Sequence, residues 1–590
     1  MDGIFLWEAS FLAEAKAPQP TQTELQTMRH TAAHVLAQAV KRLYPQVRLG
    51  IGPAIEDGFY YDIDPPRPLV PEDLEKIEAE MKAVIAADYA LERQEVGREE
   101  AARLFRERGE DYKLELIADL PQAAPITLYH QREFTDLCAG PHLASTGGVG
   151  AFRLLSLAGA YWRGDEQRPM LQRIYGTAFA GREELETFLW RREEAKRRDH
   201  RKLGPELDLF SFREEAPGFC FWHPKGVVLY DLLQGMSRRI QAAHGYREVR
   251  TPPIMGLDLW KRSGHWDHYR DNMYAFEKEE EQFAVKPMNC PGACLLFKER
   301  VRSYRELPLR YAEYGQLARF ERSGTLHGLF RVRGFVQDDA HIYVTEDQIQ
   351  SEIGDILAII EQIYGAFGMD YEIKLSTRPE DCMGEPALWD KAEAALAAAL
   401  EAAGKPFQLN PGDGAFYGPK LDFVVTDSLG RKWQCATVQL DWQLPQKFDL
   451  VYSAAGGGLE RPVMIHRAVM GSMERFIGIL TEHYGGAFPL WLSPLQVKVV
   501  TVADRHLPYA AEVERELAGA GWRVEVDARD EKMGAKIRDA QLEKVPYVLV
   551  VGDREAAEGT VAVRRREQGN LGARTRAEFL AELEREGGTI

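Results

Sequence analysis

Arg319-Phe320-Glu321, then Leu326-His327-Gly328-Leu329-Phe330-Arg331-Val332-Arg333-Gly334-Phe335-Val336-Gln337-Asp338-Asp339-Ala340-His341, and far downstream His466-Arg467-Ala468-Val469-Met470-Gly471-Ser472-Met473-Glu474-Arg475, are the segments on which the fold turns. They interleave arginines spaced to hold a polyphosphate with histidines that, together with Cys290, have the chemistry of metal ligands. Arg319 closes a strand-like segment and Arg331 follows a Gly-bearing loop, the layout of a hairpin laid over phosphates. The planar guanidinium binds phosphate oxygens in pairs and keeps its charge at any physiological pH. Arg475, on a helical pattern after Gly471-Ser472-Met473, supplies a third fork. Taken singly, each arginine reads as a surface or ion-pair residue; the pattern around them reverses that reading.

A chain of 590 residues exceeds one hydrophobic core, so three or four domains are expected. With 45% hydrophobic and 28% charged residues the composition is that of a globular protein. No apolar run reaches the ~20 residues of a membrane span, and the N-terminus lacks a basic region before its short apolar run, so the chain reads as cytosolic. Six cysteines (138, 220, 290, 294, 382 and 435) are too few for a disulfide framework, leaving each as ligand, nucleophile or buried thiol. The net charge of −17 argues against nonspecific coating of nucleic acid. Local basic clusters remain at Arg191–Arg192, Lys196–Arg198, Arg201–Lys202 and Arg564–Arg566.

Residues 1–20 read as a short arm. From Thr27 to about Tyr44 the apolar positions recur at helical spacing, which puts His30 and His34 one turn apart on one face. Strands with turns are expected around Leu49–Ile55 and Gly58–Asp64, and a helical stretch over 72–107 with a polar break near 94–98. This first α+β domain spans 21–180, and a long exposed helix over 181–203 links it onward. Residues 204–489 alternate helical and strand-like segments in the manner of an antiparallel sheet flanked by helices, with a strand over Phe330–Phe335 among them. Residues 490–590 alternate strand and helix, as in a small α/β domain with a largely parallel sheet.

These motifs resemble class II aminoacyl-tRNA synthetases. Motif 1 corresponds to Gly245-Tyr246-Arg247-Glu248-Val249-Arg250-Thr251-Pro252, motif 2 to Arg319 through Arg331, and motif 3 to Gly471 through Arg475. Lys286-Pro287-Met288-Asn289-Cys290-Pro291-Gly292, Gln337 through His341 and Val463 through His466 narrow the resemblance to threonyl-tRNA synthetases, and it extends over nearly the whole chain. The resemblance implies an antiparallel class II core, ATP with Mg²⁺, L-threonine and tRNA(Thr) as substrates, one zinc ion per subunit and a homodimer, with neither DNA nor membrane as partner. Many members begin with a ubiquitin-like domain, for which only the 1–20 arm stands here.

Within that family Cys290, His341 and His466 are the implied zinc ligands, a pairing that spacing alone would not nominate. One thiolate and two neutral imidazoles leave open coordination, as in working rather than structural sites. Threonine can then chelate the metal through its amine and hydroxyl. An apolar pocket separates threonine from valine only ~10²-fold, whereas a site that must bond the hydroxyl rejects its absence by ~10⁴–10⁵. Asp339 and Tyr417 are implied to hold the amine; Gln337, Arg331, Gln434, Thr437, Gln439, Met288 and Ser472 to line the adenylate pocket. Arg319 and Arg475 are implied to stabilise phosphate charge, Lys420 to contact the carbonyl or phosphate side, and His265 to assist proton transfer from the terminal ribose.

Serine satisfies the same amine and hydroxyl contacts, and a missing methyl is worth only ~1–3 kcal/mol, so a hydrolytic site is needed. Without the resemblance, His30 and His34 together with Cys138-Ala139-Gly140-Pro141-His142 form a zinc-type signature. With it, they become a metal-free editing site for seryl-tRNA, joined by Lys113, Asp136 and Tyr61, and both readings stay open at this stage. Asp530, Lys544, Glu555 and Arg564 fall at anticodon-reading positions of the last domain, the first two departing from the family's residue types. A metal-dependent hydrolase of aminoacyl esters and a non-enzymatic RNA-binding paralogue are the rival classes.

Overall fold

The computed structural model describes residues 22–587, so the arm expected over 1–20 lies outside the described residues. The chain divides between Glu193 and Glu194 into two compact units.

In the first unit the helix Gln22–Leu43 buries Ala32, Val35, Leu36, Ala39 and Val40. Its apolar stripe packs on the strands Gly58–Asp64 and Met170–Phe179. Those two strands are the centre of a sheet completed by Arg48–Leu49, Ala54–Ile55 and Ala151–Tyr161, all pairs antiparallel. The helical stretch expected over 72–107 is interrupted. Helices Pro71–Ala86 and Arg98–Glu107 flank a strand, Leu91–Val96, which pairs with Ile126–Gln131 in a small sheet that also holds Phe134–Leu137. The polar run Leu91-Glu-Arg-Gln-Glu-Val96 carries no strand signal of its own; its partner strand, distant in sequence, provides the ladder.

The linker is also not one helix. Arg182–Arg198 ends where Asp199 accepts the N–H of Arg201 and caps a second helix, His200–Glu206. In the second unit an eight-stranded sheet, counted among the described residues, runs in the order Arg247–Glu248, Leu309–Ala318, Gly334–Val344, Val463–Ser472, Lys432–Asp441, Lys420–Thr426, Tyr371–Ser376, Gln408–Asn410. Only its two outermost pairs are parallel. Phe330 lies in the loop ahead of Gly334–Val344 and not in a strand, contrary to the expectation over 330–335.

Strand alternation gives this sheet two faces. Ala340, Ile342, Val438, Leu440, Val463 and Ile465 point into the main core, covered by the helices Pro224–Ala243, Ile349–Ala366, Pro386–Ala402 and Met473–His483. Asp339, His341, Thr437, Gln439 and His466 point the other way. The C-terminal sheet has three parallel strands, Val524–Asp527, Val497–Thr501 and Tyr547–Val551. It ends in an antiparallel hairpin, Thr560–Arg565 and Gly569–Thr575, because the connection through Gly569 (φ +73°) is too short for a crossover. Ile360→Ala in the helix behind the main sheet should cost about 2–5 kcal/mol, seen as a lower urea midpoint for the second unit, with the first unit's transition unmoved.

Candidate functional site

His341 and His466 stand directly opposite each other in the antiparallel ladder, and Gln439 faces His466 on its other side. Cys290 opens the helix Cys290–Lys298 and brings its thiol to the same point. The ligand atoms of the three residues lie within 4.8 Å of one another, all buried. His341 Nε2 and His466 Nδ1 have no protein partner. His466 Nε2 lies 3.0 Å from the carboxylate of buried Asp441, so it carries the proton and leaves the Nδ1 lone pair free. Two orphaned imidazole nitrogens beside a thiol, one of them held in its tautomer by a carboxylate, fit the donor chemistry of a metal such as zinc. Burial pushes the Cys290 thiol well up and His341 well down; only a cation at their centre favours the thiolate.

Beside this cluster Asn289 donates to Asp339 at 3.0 Å, and Asp339 lies 3.8 Å from His341 Nε2. Tyr417 donates to Gln439 at 2.5 Å, its ring 5.1 Å from that of His466. His265 is fully buried between Ser263 Oγ (2.8 Å) and Met288 Sδ (3.1 Å), and burial lowers its pKa to about 3, so the ring is neutral.

A cavity of about 440 Å³ joins Arg319, Arg331, Gln337, Lys420, Gln434, Thr437, Gln439, Ser472 and Arg475 in one wall, with Glu321 and Phe330. Arg319 donates to the carbonyl of Pro287 and packs over Phe335, while Arg331 is paired with Glu321 at 3.0 Å and half exposed. Lys420 is shared between Asp422 (2.9 Å) and Asp413 (3.3 Å). Arg475 Nε is buried without a partner.

Two bulges make this wall possible. Gln434 is an odd number of residues from Thr437, and simple alternation would turn it to the core. An extra residue opposite Asp422–Val424 restores it to the cavity side. A second irregularity, between Gln337 and Asp339, sets Ser472 across from Gln337. Asp338 fills it, accepting the N–H groups of Val469, Met470 and Gly471. The sequence did not single out Asn289, Asp338 or Asp441. Asn289 and Asp338 lie inside the family motifs, whereas nothing near Asp441 in sequence points to it.

In the first unit His30 Nε2 and His142 Nε2 lie 3.3 and 3.2 Å from Cys138 Sγ. His34 packs on His142 and lies 3.6 Å from Asp136. Lys113 binds both Asp136 (2.5 Å) and Tyr61 (3.0 Å), and Tyr61 donates to Asp136. All seven nominated residues therefore form one connected cluster. Burial holds His142 down to about 2 and lifts the Cys138 thiol to about 11, so these groups are neutral at physiological pH. Gly140 (φ +76°) is required, since a Cβ there would meet the Tyr129 hydroxyl at 2.2 Å. In the last domain Asp530 and Glu555 follow the C-terminal ends of parallel strands, whereas Lys544 and Arg564 sit toward the opposite ends.

Residues 274–484 match the tRNA synthetase class II core domain (G, H, P, S and T), 496–586 an anticodon binding domain, and 126–175 the threonyl and alanyl tRNA synthetase second additional domain. The threonine–tRNA ligase of Symbiobacterium thermophilum is 60% identical over 94% of this chain and 85% of its own length; that of Acetivibrio thermocellus is 57% identical over 94% and 87%. The chain belongs to the threonine–tRNA ligase family. Among solved structures, the RNA binding domain of the threonyl-tRNA synthetase from Cryptosporidium parvum Iowa II aligns with a TM-score of 0.64 at 44% identity, covering 66% of this chain and 99% of that one. A putative threonyl-tRNA synthetase from Aeropyrum pernix aligns at 0.58 and 31%, covering 65% and 94%. The chain is thus an aminoacyl-tRNA ligase with a class II core and an editing domain, and tRNA, ATP and an amino acid are its substrates.

Asp441→Asn tests the tautomer argument. The amide keeps its oxygen toward the N–H groups of Gln443 and Leu444 and turns its NH₂ to His466, which forces the proton onto Nδ1. Zinc affinity should fall about 10- to 100-fold in a chelator competition.

Proposed function

We propose that the cavity beneath Arg319, Arg331 and Arg475 is where ATP, with its Mg²⁺, and L-threonine become threonyl-adenylate and pyrophosphate, before threonine moves to the terminal ribose of tRNA(Thr). The observation that carries this reading is the buried Cys290–His341–His466 set, with two imidazole nitrogens unpartnered, next to Gln439, which faces His466 in the sheet and lines the arginine-walled cavity. Zinc bound there supplies open coordination for an amine and a hydroxyl together, which valine cannot satisfy. Asp339 and Tyr417 flank that position and would take the ammonium. Arg319 and Arg475 are poised over the phosphates, so the step proceeds by positioning and charge stabilisation without a protein nucleophile. Gln337, Gln434, Thr437, Gln439 and Ser472 orient the adenylate, with Met288 beside it. Lys420 bears on the carbonyl or phosphate side, held by Asp422. His265, held between Ser263 and Met288, would assist proton transfer from the ribose hydroxyl as a hydrogen-bonding partner.

The cluster of the first unit is read as the editing site that hydrolyses seryl-tRNA(Thr). Its histidines are neutral, so one can orient the water and accept its proton, and the imidazolium formed can then pass that proton to the leaving ribose oxygen, while Lys113, Asp136 and Tyr61 fix the geometry. Four ligand atoms within 4.8 Å favour a second reading, a metal at this cluster; a zinc count of two per chain would select it, a count of one the metal-free site. The domain limits 21–180 (editing), 181–203 (linker), 204–489 (synthesis) and 490–590 (anticodon binding, through Asp530, Lys544, Glu555 and Arg564) go with this reading. A cytoplasmic homodimer does too, supported by the exposed edge strand Arg247–Glu248 of motif 1.

Cys290→Ser should abolish zinc content and lower threonine-dependent exchange of pyrophosphate into ATP by more than about 100-fold, beyond what outer partners of a metal cost. Retained metal and exchange would refute the ligand assignment. His30→Ala should leave threonine charging intact and slow seryl-tRNA deacylation by roughly 10²–10⁴-fold, the range for one acid–base group; rapid deacylation by this variant would remove the histidine from the mechanism.

A further inference from the structure

We propose that His200, outside every motif of the synthetic site, is a positioning residue for adenylate formation, acting as a strut under the Leu326–Arg331 loop. This inference deepens the reading of the arginine-lined cavity as the ATP site and rests on it.

His200 is fully buried at the start of the helix His200–Glu206. Its Nε2 lies 2.9 Å from the backbone nitrogen of Leu329 in the loop between Arg319 and Arg331. A backbone N–H can only donate, so Nε2 is the acceptor and the ring proton sits on Nδ1. Nδ1 in turn lies 2.6 Å from Glu482 Oε1, which also accepts the backbone N–H of His200 at 3.0 Å. Both ring nitrogens are thereby used. The proximity of Asp199, His200 and Glu482 resembles a metal site, but no imidazole lone pair is left for one.

The loop is shaped to this ring. Gly328 (φ +50°) passes so close that a Cβ would stand 2.2 Å from His200 Nε2 and 2.7 Å from Arg201 Cγ. The next residue but one, Phe330, packs its ring 4.1 Å from His200 and 4.4 Å from Trp433, and from there enters the wall of the cavity. Glu482 lies near the end of the helix Met473–His483, whose first turn carries Arg475, and it is held by Arg431 at 2.5 Å. One line of contacts therefore ties the helix of Arg475 to the loop of Phe330 and Arg331. Without the acceptor the Leu329 N–H is buried unpaired, and the loop is freed to shift away from the nucleotide.

Two near-isosteres separate this role from simple packing. His200→Asn can still donate to Glu482 but is too short to reach Leu329, whereas His200→Gln places its carbonyl oxygen near Nε2 and restores the acceptor. In pyrophosphate exchange His200→Asn should raise KM for ATP about tenfold, the equivalent of one lost buried hydrogen bond, with the turnover number and KM for threonine within about twofold. His200→Gln should return KM for ATP close to that of the unmodified enzyme. Gly328→Ala, whose Cβ would press on Nε2 and push the partly exposed loop off the ring while leaving the histidine itself unsubstituted, should raise KM for ATP likewise, and stands as the test should His200→Asn fail to fold. Equal losses in the Asn and Gln variants, or an unchanged KM for ATP in His200→Asn or in Gly328→Ala, would overturn the strut. An unmodified enzyme without threonine-dependent exchange would instead overturn the ATP-site reading.

Discussion

The register between Gly334–Val344 and Val463–Ser472 is the constraint on which the synthetic site hangs. It places His341 against His466, and a slip of one residue in either strand would turn that strand's imidazole into the hydrocarbon core while exposing its isoleucine, Ile342 or Ile465. Hydrophobic patterning thus enforces a chemical outcome. The helices behind the sheet bury Ala340, Ile342, Val463 and Ile465, and the histidines are left on the opposite face as a consequence.

Around that fixed pair the sheet departs from regularity only where the cavity needs it. The bulge at Asp422–Val424 rotates Gln434 into line with Thr437 and Gln439, and the one at Gln337–Asp339 turns the chain toward Ser472 and Arg475. Each exposes backbone donors that a regular ladder would pair. Asp338 takes up three of them from a fully buried position, although burial raises its pKa to about 7. Several bonds to one carboxylate offset part of that desolvation.

The two sites of the chain use histidine in contrasting ways. In the second unit the imidazoles are held apart from protein donors, with lone pairs converging on one point and Asp441 fixing a tautomer. In the first unit the rings of His30, His34 and His142 lie against one another, with Cys138 beside His30 and His142, and proximity to other histidines adds to burial in keeping His34 and His142 neutral. The former arrangement suits recognition by a cation, the latter the handling of water and a leaving group. On the proposed reading this division follows the limit of the recognition chemistry, which would test for an amine beside a hydroxyl and so pass serine.

Much of the architecture is legible in local patterning. The period of the apolar residues in Thr27–Tyr44 gave the helix that carries His30 and His34, and Arg319, Arg331 and Arg475, singled out together from their motifs, do line one cavity. The C-terminal alternation foretold parallel strands, though not the closing hairpin. Other features were beyond local reading. The strand Leu91–Val96 owes its form to a partner across the small sheet, and the roles of Asp338, Asp441 and Asn289 come from strand register and helix placement rather than from neighbours in sequence. His200 is the plainest case: its short segment reads only as part of a charged linker. Local patterning states which face of an element is apolar, whereas a buried hydrogen bond between residues more than a hundred positions apart is fixed only when packing has removed water from both of its partners.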